Sequence, residues 1–242
     1  MANNFSIDIR NLSKEYFLGS INFKSFILGN KNLKKKIALD NINCRISINE
    51  KIAILGENGS GKSTLLKILT RVTTPTSGEA TVNGRVLSML ETGAGFHDEF
   101  TMRENINLSA SLLGASPKEI ENSINLIIDF TELREFVNVP LKRFSSGMVA
   151  RLGFSIGIFV PSEILIFDEI LSVVDGKFRK KCITKLNNLG KEFKKTLLFV
   201  SHNMNLVKNI CNRGIVLDKG KIIYDNKINE AINFYKKNII KK

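Results

Sequence analysis

The sequence predicts an α/β domain built around a phosphate-binding P-loop, and three observations carry that prediction. Residues Gly56-Glu57-Asn58-Gly59-Ser60-Gly61-Lys62-Ser63 follow the apolar run Lys51 to Leu55 and precede the apolar-periodic run Thr64 to Leu69. That is strand, glycine-rich turn and helix, with the spacing GxxxxGK[ST] at the turn. Two unbroken apolar runs, Glu163 to Phe167 and Thr196 to Val200, read as buried parallel strands. Between residues 100 and 160 the pattern changes to helix.

Taken in order, the chain opens on an alternating stretch, Phe5 to Arg10, which predicts an edge strand that gives way to a turn by residue 16. Residues 17–37 read as an irregular basic and apolar insert. A second strand is expected over 38–49, with Asn and Asp at its ends. Beyond the glycine-rich turn and its helix, Thr74-Pro75-Thr76-Ser77-Gly78 marks a turn. Residues 79–90 read as two short strands around Asn83-Gly84, a hairpin signal. Asn105 to Leu113 is apolar-periodic. Ser116-Pro117-Lys118-Glu119 starts a helix, with Ser as N-cap, Pro in the first position and Glu in the third. Ser146 to Phe159 predicts a third helix, which makes residues 97–160 a helical subdomain. A helix over 176–194 separates the two apolar strands. Ile215 to Leu217 and Ile222 to Tyr224 predict a last hairpin over Asp218-Lys219-Gly220, and residues 228–242 a C-terminal helix.

Length and composition bound the class of protein. With 242 residues and 43% hydrophobic content, the chain is large enough to bury a substantial core. No apolar run approaches the ~20 residues that span a bilayer, and Met1 to Arg10 has neither the basic nor the apolar region of a signal peptide. Cys44, Cys182 and Cys211 stand too far apart in sequence for a metal site; they suit small core hydrophobes in a reducing cytosol. The formal charge of +13 suits either a nucleic-acid partner or a lysine-rich solvated surface. Much of it sits in two places. Residues 17–37 carry Lys24, Lys31, Lys34, Lys35 and Lys36 with no acid, and residues 227–242 carry Lys227, Lys236, Lys237, Lys241 and Lys242 against Glu230. Neither segment has the arginine and aromatic spacing of a nucleic-acid module, so no nucleic-acid partner is expected.

The chemistry starts from the P-loop. Its glycines let the backbone curl so that successive N–H groups point at phosphate oxygens, and the following helix adds its positive end. The nucleotide-binding set is Gly56, Glu57, Asn58, Gly59, Ser60, Gly61, Lys62, Ser63 and Thr64. Lys62 supplies charge to the β- and γ-phosphates, and the Ser63 hydroxyl is a ligand for Mg²⁺. The apolar strand Ile164 to Phe167 ends in Asp168 and Glu169. Asp168 at a strand end is suited to Mg²⁺, and Glu169 to polarising a water for in-line attack on the γ-phosphate. Ser201-His202 follows the next buried strand. A His there faces the γ-phosphate, because ligands of open α/β sheets sit at the carboxyl ends of strands.

With these motifs in place, the chain resembles the nucleotide-binding subunit of an ABC transporter, over residues 5 to 225. Phe144-Ser145-Ser146-Gly147-Met148 stands where that family has its signature, at the start of a helix. Ser172-Val173-Val174-Asp175 resembles the D-loop, and Tyr16, after Leu12-Ser13-Lys14, matches the aromatic that stacks on adenine. The resemblance implies a P-loop NTPase (RecA-like) core with an antiparallel β-subdomain and a helical subdomain in a single cassette over 1–242. It implies ATP and Mg²⁺ as cofactors, with Glu169 and His202 catalytic. Ser145, Ser146, Gly147 and Met148 would cap the γ-phosphate held by an opposite subunit, with Asp175 in the D-loop beside them.

Departures from the family pattern point further. The signature is SSGM rather than SGGQ, and no Gln marks the Q-loop, whose region reads Leu90-Glu91-Thr92-Gly93-Ala94-Gly95-Phe96-His97. Glu91 aligns with the missing Gln as a further Mg²⁺ ligand, and His97 is the other residue considered for that role. Both features, with the strings RFSSGMVARLGFSI and DEILSVVDGKF, are similar to the subfamily that exports finished polysaccharides: O-antigens, capsules and teichoic acids. The resemblance implies a head-to-tail homodimer that sandwiches two ATP molecules. It implies a separate integral-membrane subunit in two copies, and a glycan or lipid-linked glycan handled by the complex. The chain is expected at the cytoplasmic face of a bacterial inner or plasma membrane, with no appended carbohydrate-binding domain. An importer or drug exporter would ordinarily keep SGGQ and the Gln. A soluble ABC ATPase acting on ribosomes or DNA would carry two cassettes or long heptad inserts. The insert 17–37, with Phe17, Phe23 and Phe26 among its lysines, suits contact with lipid headgroups, the glycan or the mouth of the membrane subunit.

Overall fold

The structure, a computed structural model, describes residues 4–18, 34–89, 95–168, 174–192, 194–201 and 203–240. In chain order the strands and helices are β1 (Phe5–Leu18), β2 (Lys34–Ser47), β3 (Lys51–Leu55), α1 (Lys62–Leu69), β4 (Ser77–Val82), β5 (Val86–Met89), α2 (Met102–Leu112), α3 (Pro117–Thr131), α4 (Ser146–Phe159), β6 (Ile164–Asp168), α5 (Gly176–Glu192), β7 (Thr196–Val200), α6 (Met204–Ile210), β8 (Arg213–Asp218), β9 (Lys221–Lys227) and α7 (Ile228–Tyr235). They form two compact units. One comprises the described residues of Met1–Ser47, Ile54–Asn83 and Arg213–Lys242; the other those of Ile48–Ala53 and Gly84–Asn212. The expected helical subdomain, 97–160, falls within the second.

In the first unit β1 is flanked by β2 and β4, antiparallel to both. The expected edge strand is therefore the centre of its sheet. Alternation along a strand reports which face is buried and says nothing about how many neighbours it has. The inward face is apolar: Ile42, Cys44 and Ile46 of β2 are buried while Asn43, Arg45 and Ser47 are exposed. The β1–β2 ladder runs on through Phe17↔Lys35 and Leu18↔Lys34, so residues 17–18 and 34–37 of the expected insert are strand. Residues 19–33 lie outside the described residues. β8 and β9 form the expected hairpin, with Lys219 and Gly220 both at positive φ in the turn. Of the C-terminal helix, residues 228–235 are α-helical and Lys236–Ile240 form a π-helical turn. The Phe234 ring stacks on Tyr224 of β9 at 4.3 Å.

In the second unit β5, β6 and β7 are parallel neighbours, and the first residues of β3 pair with β7. Burial on both faces explains their unbroken apolar runs: Ile164, Leu165, Ile166, Phe167, Leu197 and Leu198 are fully buried. The expected hairpin over 79–90 does not form. β4 pairs with β1 and β5 with β6, in different sheets. Asn83 fastens β4 to the first unit, its amide N–H donating to the Ser6 carbonyl and its side chain to that of Phe5. Two residues on, the Arg85 N–H donates to the Glu163 carboxylate beside β6. Reciprocal capping boxes start two helices, Thr101 with Glu104 at α2 and Ser116 with Glu119 at α3. An aromatic cluster holds α3, α4, α5 and β6 together. Phe154 stacks on Phe167 at 5.2 Å, and Phe130 meets Phe178 edge-on at 5.6 Å. Rings buried this deeply contribute about 1.5–3 kcal/mol each.

Candidate nucleotide site

The phosphate-binding half of the site lies wholly in the first unit. Buried β3 delivers the chain to Gly56, whose φ is +154°, and a Cβ there would lie 2.4 Å from the Leu217 carbonyl oxygen. Gly61 caps α1 at φ +110°, where a Cβ would lie 2.6 Å from the Ala38 oxygen. Only glycine fits either place. The loop is braced from outside by Gly220, whose N–H donates to the Ser60 carbonyl at 3.0 Å and whose own carbonyl accepts from the Asp40 N–H at 2.8 Å. Inside the curl, the buried Lys62 ammonium donates to the Gly56 and Glu57 carbonyls at 2.7 and 2.8 Å.

Around that cation, Glu57, Asn58, Gly59 and Ser63 are exposed and Thr64 is half-buried. The Ser60 hydroxyl is buried against Gly56 without a hydrogen-bond partner. A compact curl centred on a cation, with an uncommitted hydroxyl, at the start of a two-turn helix, fits the oxygens of a polyphosphate. Tyr16, near the end of β1, is 36% exposed, and the Lys14 ammonium sits 5.2 Å from its ring centre. A flat aromatic face held at the surface suits stacking on a base.

The signature segment lies in the second unit. Ser145 is the N-cap of α4, its hydroxyl accepting from the Met148 N–H at 3.2 Å. Ser145 and Ser146 are exposed, while Gly147 and Met148 are half-buried. Here Asp175 joins them, because α4 and the start of α5 wall one open pocket of about 440 Å³ lined by Ser145, Gly147, Met148, Arg151, Val174 and Asp175. Asp175 caps α5, its Oδ1 accepting from the Lys177 and Phe178 N–H groups at 3.1 and 3.0 Å. Its other oxygen pairs with the Arg151 guanidinium. The Phe178 amide, followed by Arg151, holds its carboxyl below the usual carboxylate range. Sequence reasoning missed Arg151 although it stands within the quoted string; the one signal was a lone cation on an otherwise apolar helix.

The remaining predicted residues divide as follows. Asp168 ends β6, its backbone in register with Val200 of β7. The His97 ring stacks on Phe100 at 4.4 Å, and its backbone is held by buried Asn105, which accepts from the His97 N–H at 2.7 Å and donates to its carbonyl at 3.0 Å. Glu91, Glu169 and His202 lie outside the described residues. Among the described residues no group of three or more His, Cys, Asp or Glu side chains could hold a metal ion.

Comparison with known proteins agrees with the geometry. The ABC transporter family model matches residues 39–172, which takes in the P-loop, the signature and Asp168. The O-antigen export system ATP-binding protein RfbB of Klebsiella pneumoniae is 41% identical over 95% of this chain and 97% of its own length. The teichoic acids export ATP-binding protein TagH of Staphylococcus epidermidis is 39% identical over 95% of this chain and 88% of its own. Among solved structures, a dimeric ATP-binding cassette, MJ0796, in a post-hydrolysis state bound to ADP and Pi, superposes with a TM-score of 0.75, covering 92% of this chain and 98% of that one at 23% identity; it supports the fold alone. With that family model matching more than half of its length, and relatives of about 40% identity over nearly all of it, this chain belongs to the ABC transporter family.

Proposed function

We propose that this chain is the ATP-binding and hydrolysing subunit of an ABC exporter that moves a polysaccharide, an O-antigen, capsule or teichoic acid carried on a lipid, across the cytoplasmic membrane. The observation that carries the reading is the braced P-loop with Lys62 at its centre. The nearly full-length likeness to O-antigen and teichoic acid export proteins supports the substrate class.

The P-loop amides and Lys62 bind and orient the triphosphate of ATP, and the Tyr16 ring stacks on adenine. Ser63 and Asp168, with Glu91, would hold Mg²⁺, which would offset the negative charge of the phosphates. Glu169 takes the proton of the attacking water and His202 holds the γ-phosphate end. A copy of the chain cannot apply its own signature to its own γ-phosphate, so two copies close head to tail around two nucleotides. Ser145 to Met148 of each then meet the nucleotide of the other, with Asp175 beside them. Closure works on a separate membrane subunit, and phosphate release reopens the pair. Among the described residues no helix is long and apolar enough to cross a membrane, which suits a peripheral subunit on the cytoplasmic face.

Lys62→Ala tests the reading. The purified variant should bind ATP at least tenfold more weakly, since a buried phosphate loses its cation. Cells carrying only this variant should synthesise their polysaccharide and fail to display it. Normal surface polysaccharide from a variant that no longer binds ATP would overturn the proposal.

A further inference from the structure

We propose that Arg151 is a positioning residue for ATP hydrolysis, tying the signature end of α4 to Asp175 and so setting where the signature donors stand against the nucleotide of a second copy. The inference rests on the reading above, in which two copies close on two nucleotides.

Arg151 lies on α4 just behind the signature and lines the same pocket as Ser145, Gly147 and Met148. Its guanidinium is gripped from several sides. One nitrogen pairs with the Asp175 carboxylate, and another donates to the Thr131 carbonyl at 3.5 Å and stands 3.9 Å from Glu132. The Phe178 ring centre lies 4.9 Å from its central carbon. The cation thus joins the end of α3, the start of α4 and the start of α5. Glu132 passes the connection on, accepting from the Lys181 ammonium at 2.9 Å.

Asp175 is equally committed, with one oxygen on the α5 amides and the other on Arg151. A D-loop carboxylate spent on both oxygens within its own chain acts as a pin between two helices. The Arg151 side chain is 23% exposed and that of Asp175 46%, so water screens the pair. A planar fork can face a carboxylate while its flat side lies on a ring; an ammonium does one or the other.

The clasp is one of two anchors of α4. α4 is already anchored through Leu152, Phe154, Ile156 and Ile158, all buried. What the anchor leaves unspecified is the exposed first turn, Ser145 and Ser146. Donors aimed at a phosphate lose most of their effect when displaced by as little as about 1 Å.

A double-mutant cycle on the purified chain tests this, using Arg151→Met, Asp175→Asn, the double variant and Arg151→Lys. Asn keeps an oxygen for the α5 cap and removes the charge. The two single variants should each lower kcat about tenfold, leave ATP binding to the single copy within about twofold, and lose no more when combined. Arg151→Lys should recover part of the loss, and all four should melt cooperatively near the wild-type temperature. An unchanged kcat in Arg151→Met, fully additive losses, or losses that track melting temperature would each overturn the proposal. Should Arg151→Met fail to fold, the same cycle with Arg151→Lys and Asp175→Asn decides, additive losses again rejecting the coupling. If the wild-type chain neither binds ATP nor hydrolyses it, the functional reading falls, and this inference with it. Intact wild-type hydrolysis with an indifferent Arg151 removes only the inference.

Discussion

A buried ammonium is costly unless it is hydrogen-bonded, and Lys62 donates to two carbonyls of its own loop. The loop therefore holds its charge through its own backbone geometry, and a polyphosphate bound as proposed would meet a cation already in place. Glu169, by contrast, is assigned from position alone, one residue past the end of β6. Glu169→Gln should leave ATP affinity within about twofold and cut turnover by at least a hundredfold, because an amide cannot accept the proton of the attacking water. Steady-state hydrolysis by the purified variant checks it; a rate within about twofold of wild type would remove Glu169 from the mechanism. The strand, turn and helix of the P-loop were legible because their signals are contiguous in sequence. Arg151 was not, because its meaning lies in Asp175, Thr131 and Phe178, which only folding brings to it.

At the scale of elements, α4 is fixed at both ends. Its far end is capped by Lys195, which is almost fully buried and donates to the Ile158 and Val160 carbonyls at 2.8 Å each. Burial pushes that ammonium down to about 8 from its ordinary value near 10.5. The folded-state value lies below the unfolded one, so between about pH 8 and 10.5 the unfolded chain holds a proton that the folded chain has released. Across that window the contribution of Lys195 to stability rises with pH, on the order of 3 kcal/mol in full. Below pH 8 both states are protonated and the contribution is constant. Urea unfolding at pH 8 and pH 10 should show this rise in the wild type relative to Lys195→Met; equal pH dependence in the two proteins would refute it. The helices α2 to α5 and the buried strands were legible from periodicity and capping residues, which are local signals. The place of β1 in its sheet and the separation of β4 from β5 were not. Asn83-Gly84 carries a true turn signal, but the strands on either side find better partners far along the chain, in Phe5–Leu18 and Ile164–Asp168.

For the whole molecule, the exposed signature of Ser145 and Ser146 and the P-loop belong to different compact units. Ser146→Arg should leave ATP binding to a single copy unchanged and abolish ATP-dependent dimerisation, because the added cation occupies the surface offered to a second copy. Light scattering of a hydrolysis-deficient background with and without ATP measures this, and normal dimer formation would reject the sandwich.

The first unit gathers three separated stretches of chain, and the hairpin of β8 and β9 comes last of those that support the P-loop. Gly220 and Leu217 stand directly against Ser60 and Gly56. During synthesis, which proceeds from the N-terminus at about 5–20 residues per second, the second unit has nearly all its chain while this bracket is still missing. The P-loop is therefore made before its Gly220 and Leu217 bracket, and a nucleotide site built as proposed would be braced only once β8 and β9 have followed it.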